Sequence, residues 1–254
     1  ARLVGRVNGD AYDVAFRADG RQALTASDQA VWRWDLEAPK AISYYHMHKG
    51  PVRTVAIAPS DKIAVSGGED ATLVAFDLET AKRLHRFAGH EGPVNSVAFT
   101  GDGSHIVSAA DDGTVRIWDV ASGAERQRFD ARAKRVPSAS ISGDGRWVAA
   151  CSGNDVIVWD TDSRRERRLL HGHSGPVNRV LLSWSGKLAA TGSDDRTVRL
   201  WSVATGEEVG RLPEFTGPVA DVNLLNGARV LGVDQAGTAH TIDLSLQWVD
   251  APGR

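Results

Sequence analysis

Apolar and polar residues alternate along this chain in short runs. Val94-Asn95-Ser96-Val97-Ala98-Phe99 is followed by Ser104-His105-Ile106-Val107-Ser108-Ala109, then by Thr114-Val115-Arg116-Ile117-Trp118 and Glu125-Arg126-Gln127-Arg128-Phe129. Each run has strand length, and Gly, Asp and Ser turns separate them. No segment keeps apolar residues at helical spacing over about 11 residues. The pattern predicts an all-β chain whose unit is four antiparallel strands, a to d, joined by short turns.

The unit recurs six times. Strand c ends in an aromatic-acidic or related pair: Trp34-Asp35, Phe76-Asp77, Trp118-Asp119, Trp159-Asp160, Trp201-Ser202 and Ile242-Asp243, at intervals of 42, 42, 41, 42 and 41 residues. Ahead of strand a stand Gly50-Pro51-Val52, Gly92-Pro93-Val94, Gly175-Pro176-Val177 and Gly217-Pro218-Val219, two of them after Gly89-His90 and Gly172-His173. A turn recurs in mid-unit, at Asp19-Gly20, Ser60-Asp61, Asp102-Gly103, Asp144-Gly145, Ser185-Gly186 and Asn226-Gly227. Four strands per unit of about 40–45 residues, with Gly-His and Trp-Asp marks, is the signature of a β-propeller blade.

On these residues the chain resembles the WD-repeat family over almost its whole length, units 2, 3 and 5 most closely. The fold expected is a β-propeller of six four-stranded antiparallel blades in one domain, 1–254. The blades fall near 10–46, 49–88, 91–130, 133–171, 174–213 and 216–244. Blade 6 lacks an outer strand after Ile242, while Arg2-Leu3-Val4-Gly5-Arg6-Val7 resembles Glu208-Val209-Gly210-Arg211-Leu212. Residues 2–7 are expected to close the ring by completing blade 6, which removes an exposed sheet edge. The alternative is a seven-bladed parent with one blade missing, of which 2–7 is the tail. The chain begins at Ala1 and its only Met is Met47, which fits a processed chain or a piece of a longer one.

The resemblance also implies a buried tetrad in each blade: a His before strand a, a Ser or Thr on strand b, an Asp in the b–c turn and the Trp of strand c. Buried polar groups need such mutual hydrogen bonds. Blade 3 offers His90, Ser108, Asp112 and Trp118; blade 5 offers His173, Thr191, Asp195 and Trp201. Blade 2 has His48, Ser66 and Asp70, but Phe76 replaces the Trp. Blade 1 keeps Asp28 and Trp34 without a His, and blade 4 keeps Trp159 with Arg132 at the His position. Blade 6 has neither Trp nor His, and Ala236 stands at the Asp position. Blades 1, 4 and 6 are therefore expected to rest more on packing.

Charge and composition narrow the chemistry. Lys and Arg number 30 against 32 Asp and Glu, a net charge of −2. No global field draws such a chain to nucleic acid or an anionic membrane, and neither partner is expected. No run approaches the roughly 18 apolar residues of a membrane helix, and no signal peptide opens the chain. The single cysteine, Cys151, lies in a strand b pattern and reads as a buried thiol.

His, Ser and Asp recur blade after blade, whereas a hydrolytic triad is one site with an exposed nucleophile and an oxyanion hole. No catalytic residue is assigned. His46-Met47-His48 and His171-Gly172-His173 could chelate from a strand, but His48 and His173 belong to tetrads and no third ligand repeats nearby. No metal and no cofactor are expected. Glycine-rich stretches such as Ser66-Gly67-Gly68-Glu69-Asp70 lack phosphate-loop spacing. Arg132-Ala133-Lys134-Arg135 and Arg164-Arg165-Glu166-Arg167-Arg168 read as charge that blocks pairing at an outer edge, with phosphate binding as the alternative. Trp184, in an a–b turn, is a partner anchor or a lid over neighbouring apolar surface; Trp248 in the tail poses the same choice.

In the WD-repeat family the entry face, around the channel mouth, is the usual contact surface. Two sets of positions feed it. One is the second residue of strand a: Tyr12, Arg53, Asn95, Asn178 and Ala220, with Pro137 in blade 4. The other precedes the b–c turn Asp: Glu69, Asp111 and Asp194, with Ser27 in blade 1. These positions vary on a repeating frame, as a specific recognition surface requires. The function expected is a non-catalytic interaction scaffold that binds a protein or peptide there, its acids suiting a partner with a basic segment. Two alternatives stand beside it. One is an intramolecular module of a larger protein, given the resemblance to bacterial multidomain proteins with WD repeats beside kinase or other enzyme domains. The other is a propeller enzyme with its site at the channel mouth. The compartment is not legible.

Overall fold

The computed structural model describes residues 10–28, 30–38, 40–212, 214–225 and 229–244. The chain divides into two compact units between Phe129 and Asp130. Among the described residues all 23 elements are strands. In the first unit, blade 1 is β1 (Ala11–Phe16), β2 (Gln22–Ser27), β3 (Val31–Asp35) and β4 (Lys40–Tyr45). Blade 2 is β5 (Val52–Ile57), β6 (Ile63–Gly68), β7 (Thr72–Asp77) and β8 (Arg83–Ala88). Blade 3 is β9 (Val94–Phe99), β10 (His105–Ala110), β11 (Thr114–Asp119) and β12 (Glu125–Asp130), whose last residue falls just past the division.

In the second unit, blade 4 is β13 (Ala139–Ile141), β14 (Trp147–Ser152), β15 (Asp155–Asp160) and β16 (Arg165–Leu170). Blade 5 is β17 (Val177–Leu182), β18 (Leu188–Ser193), β19 (Val198–Ser202) and β20 (Glu208–Arg211). Blade 6 contributes β21 (Val219–Leu225), β22 (Arg229–Asp234) and β23 (Ala239–Asp243). Each sheet pairs its strands in chain order, antiparallel. The class is all-β, six successive blades of the β-propeller type, as the repeat predicts. The strand expected at 2–7, the turn at Asn226-Gly227 and Trp248 lie outside the described residues.

Burial explains the sequence of each strand. Strand b is covered on both faces, so its alternation collapses: β10 is buried from Ile106 to Ala110 and β18 along its whole length. Small residues fill these positions because the next blade comes close. A Cβ on Gly67 would sit 2.6 Å from a Val94 methyl of blade 3, so only glycine fits. The outer strands β8 and β12 stay largely exposed and bury one aromatic each, Phe87 and Phe129.

The apolar clusters are shared between successive blades. Leu24, Val31 and Tyr45 of blade 1 pack with Val52, Val55 and Phe76 of blade 2. Leu73 and Phe87 of blade 2 pack with Val97, Ile106 and Trp118 of blade 3. The second unit repeats this between blades 4 and 5, and between blades 5 and 6. A blade therefore buries its apolar faces on its neighbour, as stacked repeats do.

Polar side chains join the inner strands as well. Asp13 of β1 accepts from the Thr54 hydroxyl at 2.9 Å and from Val55 N at 3.0 Å. In the second unit Ser140 Oγ accepts from Leu182 N at 3.0 Å, and Arg179 pairs with Asp221 at 2.9 Å.

The acid of each Trp-Asp pair has a turn to cap. Asp77 accepts from Glu79 N, Thr80 N and the Thr80 hydroxyl, and Asp119 accepts from Ser122 N and its hydroxyl. These bonds hold both carboxyls below their ordinary value. An Asp side chain that bonds the backbone two or three residues on closes a tight turn. Blade 5 makes the same contact through Ser202, whose Oγ accepts from Thr205 N.

Candidate functional site

Two hydrogen-bond networks run through the blades, one buried and one at the surface. In blade 3 the Trp118 indole donates to Ser108 Oγ at 2.8 Å, and His90 Nε2 lies 2.7 Å from the same oxygen. His90 Nδ1 lies 2.9 Å from Asp112, which also accepts from Thr114 and from Glu91 N. Blade 5 repeats the set: Trp201 to Thr191 at 2.8 Å, His173 to Thr191 at 2.7 Å, His173 to Asp195 at 2.8 Å.

Charge fixes the direction of these bonds. Burial pushes His90 and His173 below their ordinary pKa, against the carboxylates that would raise them. Burial also pushes Asp112 and Asp195 up, but the hydrogen bonds they accept outweigh it and hold both at about 2. A neutral imidazole beside an ionised carboxylate carries its proton on Nδ1. The Ser or Thr hydroxyl then donates to Nε2 and accepts from the indole, so every polar atom of the chain is satisfied.

The other blades depart from this set. Blade 2 keeps His48, bonded to Ser66 and Asp70 at 2.9 Å each, and Phe76 packs in place of the indole. Blade 1 keeps the indole bond, Trp34 to Thr25 at 2.9 Å. Asp28, expected in the blade 1 tetrad, is elsewhere. The b–c turn of blade 1 is one residue short: Thr25 and Trp34 are nine apart where Ser108 and Trp118 are ten apart. That deletion moves Asp28 to the position expected for Ser27, whose own hydroxyl turns inward to Ala30 O.

In blade 4, Arg132 points out to Glu166 rather than into a tetrad, and Ala150 stands opposite Ala139 where blade 3 pairs Ser108 with Val97. In blade 6 Phe215 fills the His position, buried against the His240 ring at 4.9 Å. Asp234 accepts there from the Thr216 hydroxyl, Gly217 N and Thr238 N, and these bonds outweigh burial to hold it at about 2.

The surface network joins the two expected sets of positions at a constant offset of sixteen residues. The Tyr12 hydroxyl donates to Asp28. Arg53 donates twice to Glu69, at 2.8 and 3.1 Å. The Asn95 amide donates to Asp111 at 2.6 Å, and the Asn178 amide to Asp194 at 2.7 Å. Arg53 also reaches into blade 3, to Asn95 Oδ1 at 2.7 Å and Asp111 at 3.3 Å. Tyr12 stays 48% exposed, and the Asp28 bond pushes its phenol up to about 12. Blade 4 has Pro137 and Gly153 at these places, which offer no side-chain donor or acceptor.

Two arginines escaped the sequence reading. Arg116 and Arg199 brace the tetrad Asp from strand c, at 3.6 and 3.5 Å, and pair outward with Glu125 and Glu208 at 2.7 and 3.0 Å. Their signal was present, since Thr-x-Arg followed nine residues on by Glu occurs in both complete blades. Trp184 is 54% exposed and its ring lies against Gly143 of blade 4, where a Cβ would meet it at 2.4 Å. Cys151 is fully buried, which pushes its thiol up to about 12. His171 pairs with Asp155 at 2.7 Å. Among the described residues no group of three or more His, Cys, Asp or Glu is placed to hold a metal.

Repeated blades with an indole-hydroxyl-imidazole-carboxylate chain define a propeller of the Trp-Asp class. The chain matches the family model of the WD domain, G-beta repeat, over residues 40–77, 81–119, 123–160 and 164–202, together more than half its length. It belongs to the WD-repeat family. Each match starts at or just ahead of the outer strand of one blade and ends on strand c of the next, so the sequence repeat is offset from the sheet by one strand.

It is similar to Retinoblastoma-binding-like protein E of Dictyostelium discoideum, 35% identical over 85 residues, 33% of this chain and 16% of that protein. It is similar to Eukaryotic translation initiation factor 3 subunit I of Aspergillus oryzae, 32% identical over 102 residues, 38% of this chain and 30% of that one. With Small ribosomal subunit protein RACK1 of Drosophila melanogaster it shares 36% identity over 66 residues, 24% of this chain and 21% of that one. The matched stretches span less than a third of each of these relatives. The match indicates no catalytic family.

Proposed function

We propose that residues 1–254 form a non-catalytic interaction module that binds a protein or peptide through the entry-face positions Tyr12, Arg53, Glu69, Asn95, Asp111, Asn178 and Asp194. The observation that carries this reading is the surface network. A phenol, a guanidinium and two amides occupy one repeated position, each held by an acid sixteen residues on. Side chains fixed in this way lose little entropy when a partner covers them. Tyr and Arg are also the residue types that dominate binding energy at interfaces. In the first unit these positions carry one cation, Arg53, which pairs with Glu69 and Asp111, and a third carboxylate, Asp28, bonded to Tyr12; that acid excess suits a basic segment.

The test is affinity capture with the whole chain beside a Tyr12→Ala, Arg53→Ala, Asn95→Ala, Asn178→Ala variant. A matched control carries Arg167→Ala and Leu169→Ala on outer strand β16. The proposal expects a partner retained by wild type and control and lost by the entry-face variant. Equal retention by all three overturns it.

The relatives' lengths favour a second reading. The chain is 38% identical over 53 residues to NACHT domain- and WD repeat-containing protein 1 of Mus musculus, only 3% of that protein. A WD-repeat module of that kind would present the same face to a neighbouring domain of its own chain. The partner captured would then be a segment of the same polypeptide.

A further inference from the structure

We infer that His48, His90 and His173 are positioning residues for the entry face: each holds, through the carboxylate it bonds, the neighbouring acid that fixes a recognition side chain. This rests on the entry-face reading and assigns that face its support. The acid of each surface pair directly precedes a tetrad acid along the chain, at Glu69-Asp70, Asp111-Asp112 and Asp194-Asp195. The buried and the surface network therefore meet at one peptide bond in each of these b–c turns.

The loop from strand d to strand a grips that peptide on both sides. His48, His90 and His173 start the loop, and Pro51, Pro93 and Pro176 follow three residues later. The histidines bond Asp70, Asp112 and Asp195 at 2.9, 2.9 and 2.8 Å. The next backbone N–H of each loop, of Lys49, Glu91 and Ser174, donates to the same carboxylate at 3.0, 3.0 and 3.1 Å. The proline carbonyls accept from Glu69 N, Asp111 N and Asp194 N at 2.9 Å each. Gly92 lies on the peptide itself: a Cβ there would sit 2.9 Å from Asp111 C and Asp112 N, and one on Gly175 would sit 3.0 Å from Asp195 N. Blade 2 is looser, with Glu69 Cβ 3.9 Å from the corresponding point on Gly50. A turn held at both ends leaves the acid little choice of direction, and its side chain meets Arg53, Asn95 or Asn178. Preorganised side chains need a supporting shell of this kind.

The blades without this histidine show the contrast. In blade 6 Phe215 takes its place, and Gln235 N still donates to Pro218 O at 3.0 Å, but Ala220 offers Gln235 no polar side chain. In blade 4 Arg132 turns out to Glu166, and Gly153 stands where the surface acid would be. Blade 1 has a single acid, and Asp28 accepts both from Asp10 N at 3.1 Å and from the Tyr12 hydroxyl. Two consecutive acids in the b–c turn occur in blades 2, 3 and 5, the three that carry the histidine.

The test is nuclear magnetic resonance on the whole 15N-labelled chain, read at the side-chain amides of Asn95 and Asn178. His90→Phe copies the residue of blade 6 and removes both imidazole bonds. It should shift the Asn95 side-chain amide and the Asp111 backbone amide and leave those of Asn178 and Asp194 in place. His173→Phe should do the reverse. A histidine that only adds stability would move neither pair, or both together. His90→Gln offers an acceptor to Ser108 and a donor to Asp112, and should restore the wild-type Asn95 signal. Should His90→Phe not fold, Asp112→Asn carries the same prediction, because it replaces one of the two oxygens that share the His90, Glu91 and Thr114 bonds. Unchanged Asn95 signals in a folded His90→Phe or Asp112→Asn chain, or equal shifts at Asn95 and Asn178, overturn the assignment. No partner enters this measurement, so its failure leaves the entry-face reading standing on partner capture through Tyr12, Arg53, Asn95 and Asn178.

Discussion

Ser108 is the residue on which the blade 3 tetrad turns, because its one hydroxyl serves both an indole and an imidazole. Ser108→Ala leaves two buried groups unpaired. It should cost about 2–6 kcal/mol, since each orphaned group costs about 1–3 kcal/mol. Trp118, 1% exposed, should cost about 3–5 kcal/mol on truncation to Ala. Urea melts measure both, and a loss under about 1 kcal/mol for either would remove the tetrad from the stability account. In blade 6, Asp234→Ala should destabilise by about 1–3 kcal/mol and Ala236→Asp should change little, because the donors of that turn already bond Asp234. His90, Ser108, Asp112 and Trp118 were legible because they recur at fixed spacing in blade 5. Asp28 was misplaced because one deleted turn residue shifts the register, which a count from the Trp alone does not reveal. Asp234 was missed because it sits two residues before the expected position.

At the scale of the element, strand b decides how closely blades approach. Gly67→Ala should cost about 1–3 kcal/mol by overpacking against Val94, whereas Gly153→Ala meets no atom and should cost only about 1 kcal/mol for its left-handed φ. Equal losses in the two would contradict the packing argument.

The tetrads also make the blades acid-sensitive. His48, His90 and His173 are held neutral by burial, so below the ordinary pKa of about 6.5 the unfolded chain binds protons that the folded chain does not. Stability therefore falls as pH drops through that value. It falls again from about 4 toward 2, as Asp70, Asp112 and Asp195 lose the advantage of their lowered pKa. Urea midpoints from about pH 7.5 to 4 should decline steadily, and less steeply in a His90→Gln, His173→Gln variant. A rise in stability between about pH 7 and 5.5 would mean that the imidazoles charge in the folded state. The strands themselves were legible from their length and turn residues. The shortening of β13 was not, although Pro137, which lacks a backbone donor, marks the place where it starts late.

For the whole molecule, five near-equal intervals between six strand c pairs outweighed any single motif, and class and family followed from them. Function was less legible, because a frame that repeats carries no information about what it binds. The information lies where blades differ, at Tyr12, Arg53, Asn95, Pro137 and Asn178. The most direct test of the binding face is photo-crosslinking from single positions. Benzoylphenylalanine in place of Tyr12 samples the start of a strand a, and in place of Trp184 it samples an a–b turn with similar exposure. The account predicts partner adducts from position 12 and none from position 184. Adducts from position 184 alone would place recognition on the a–b turns and contradict the entry-face assignment.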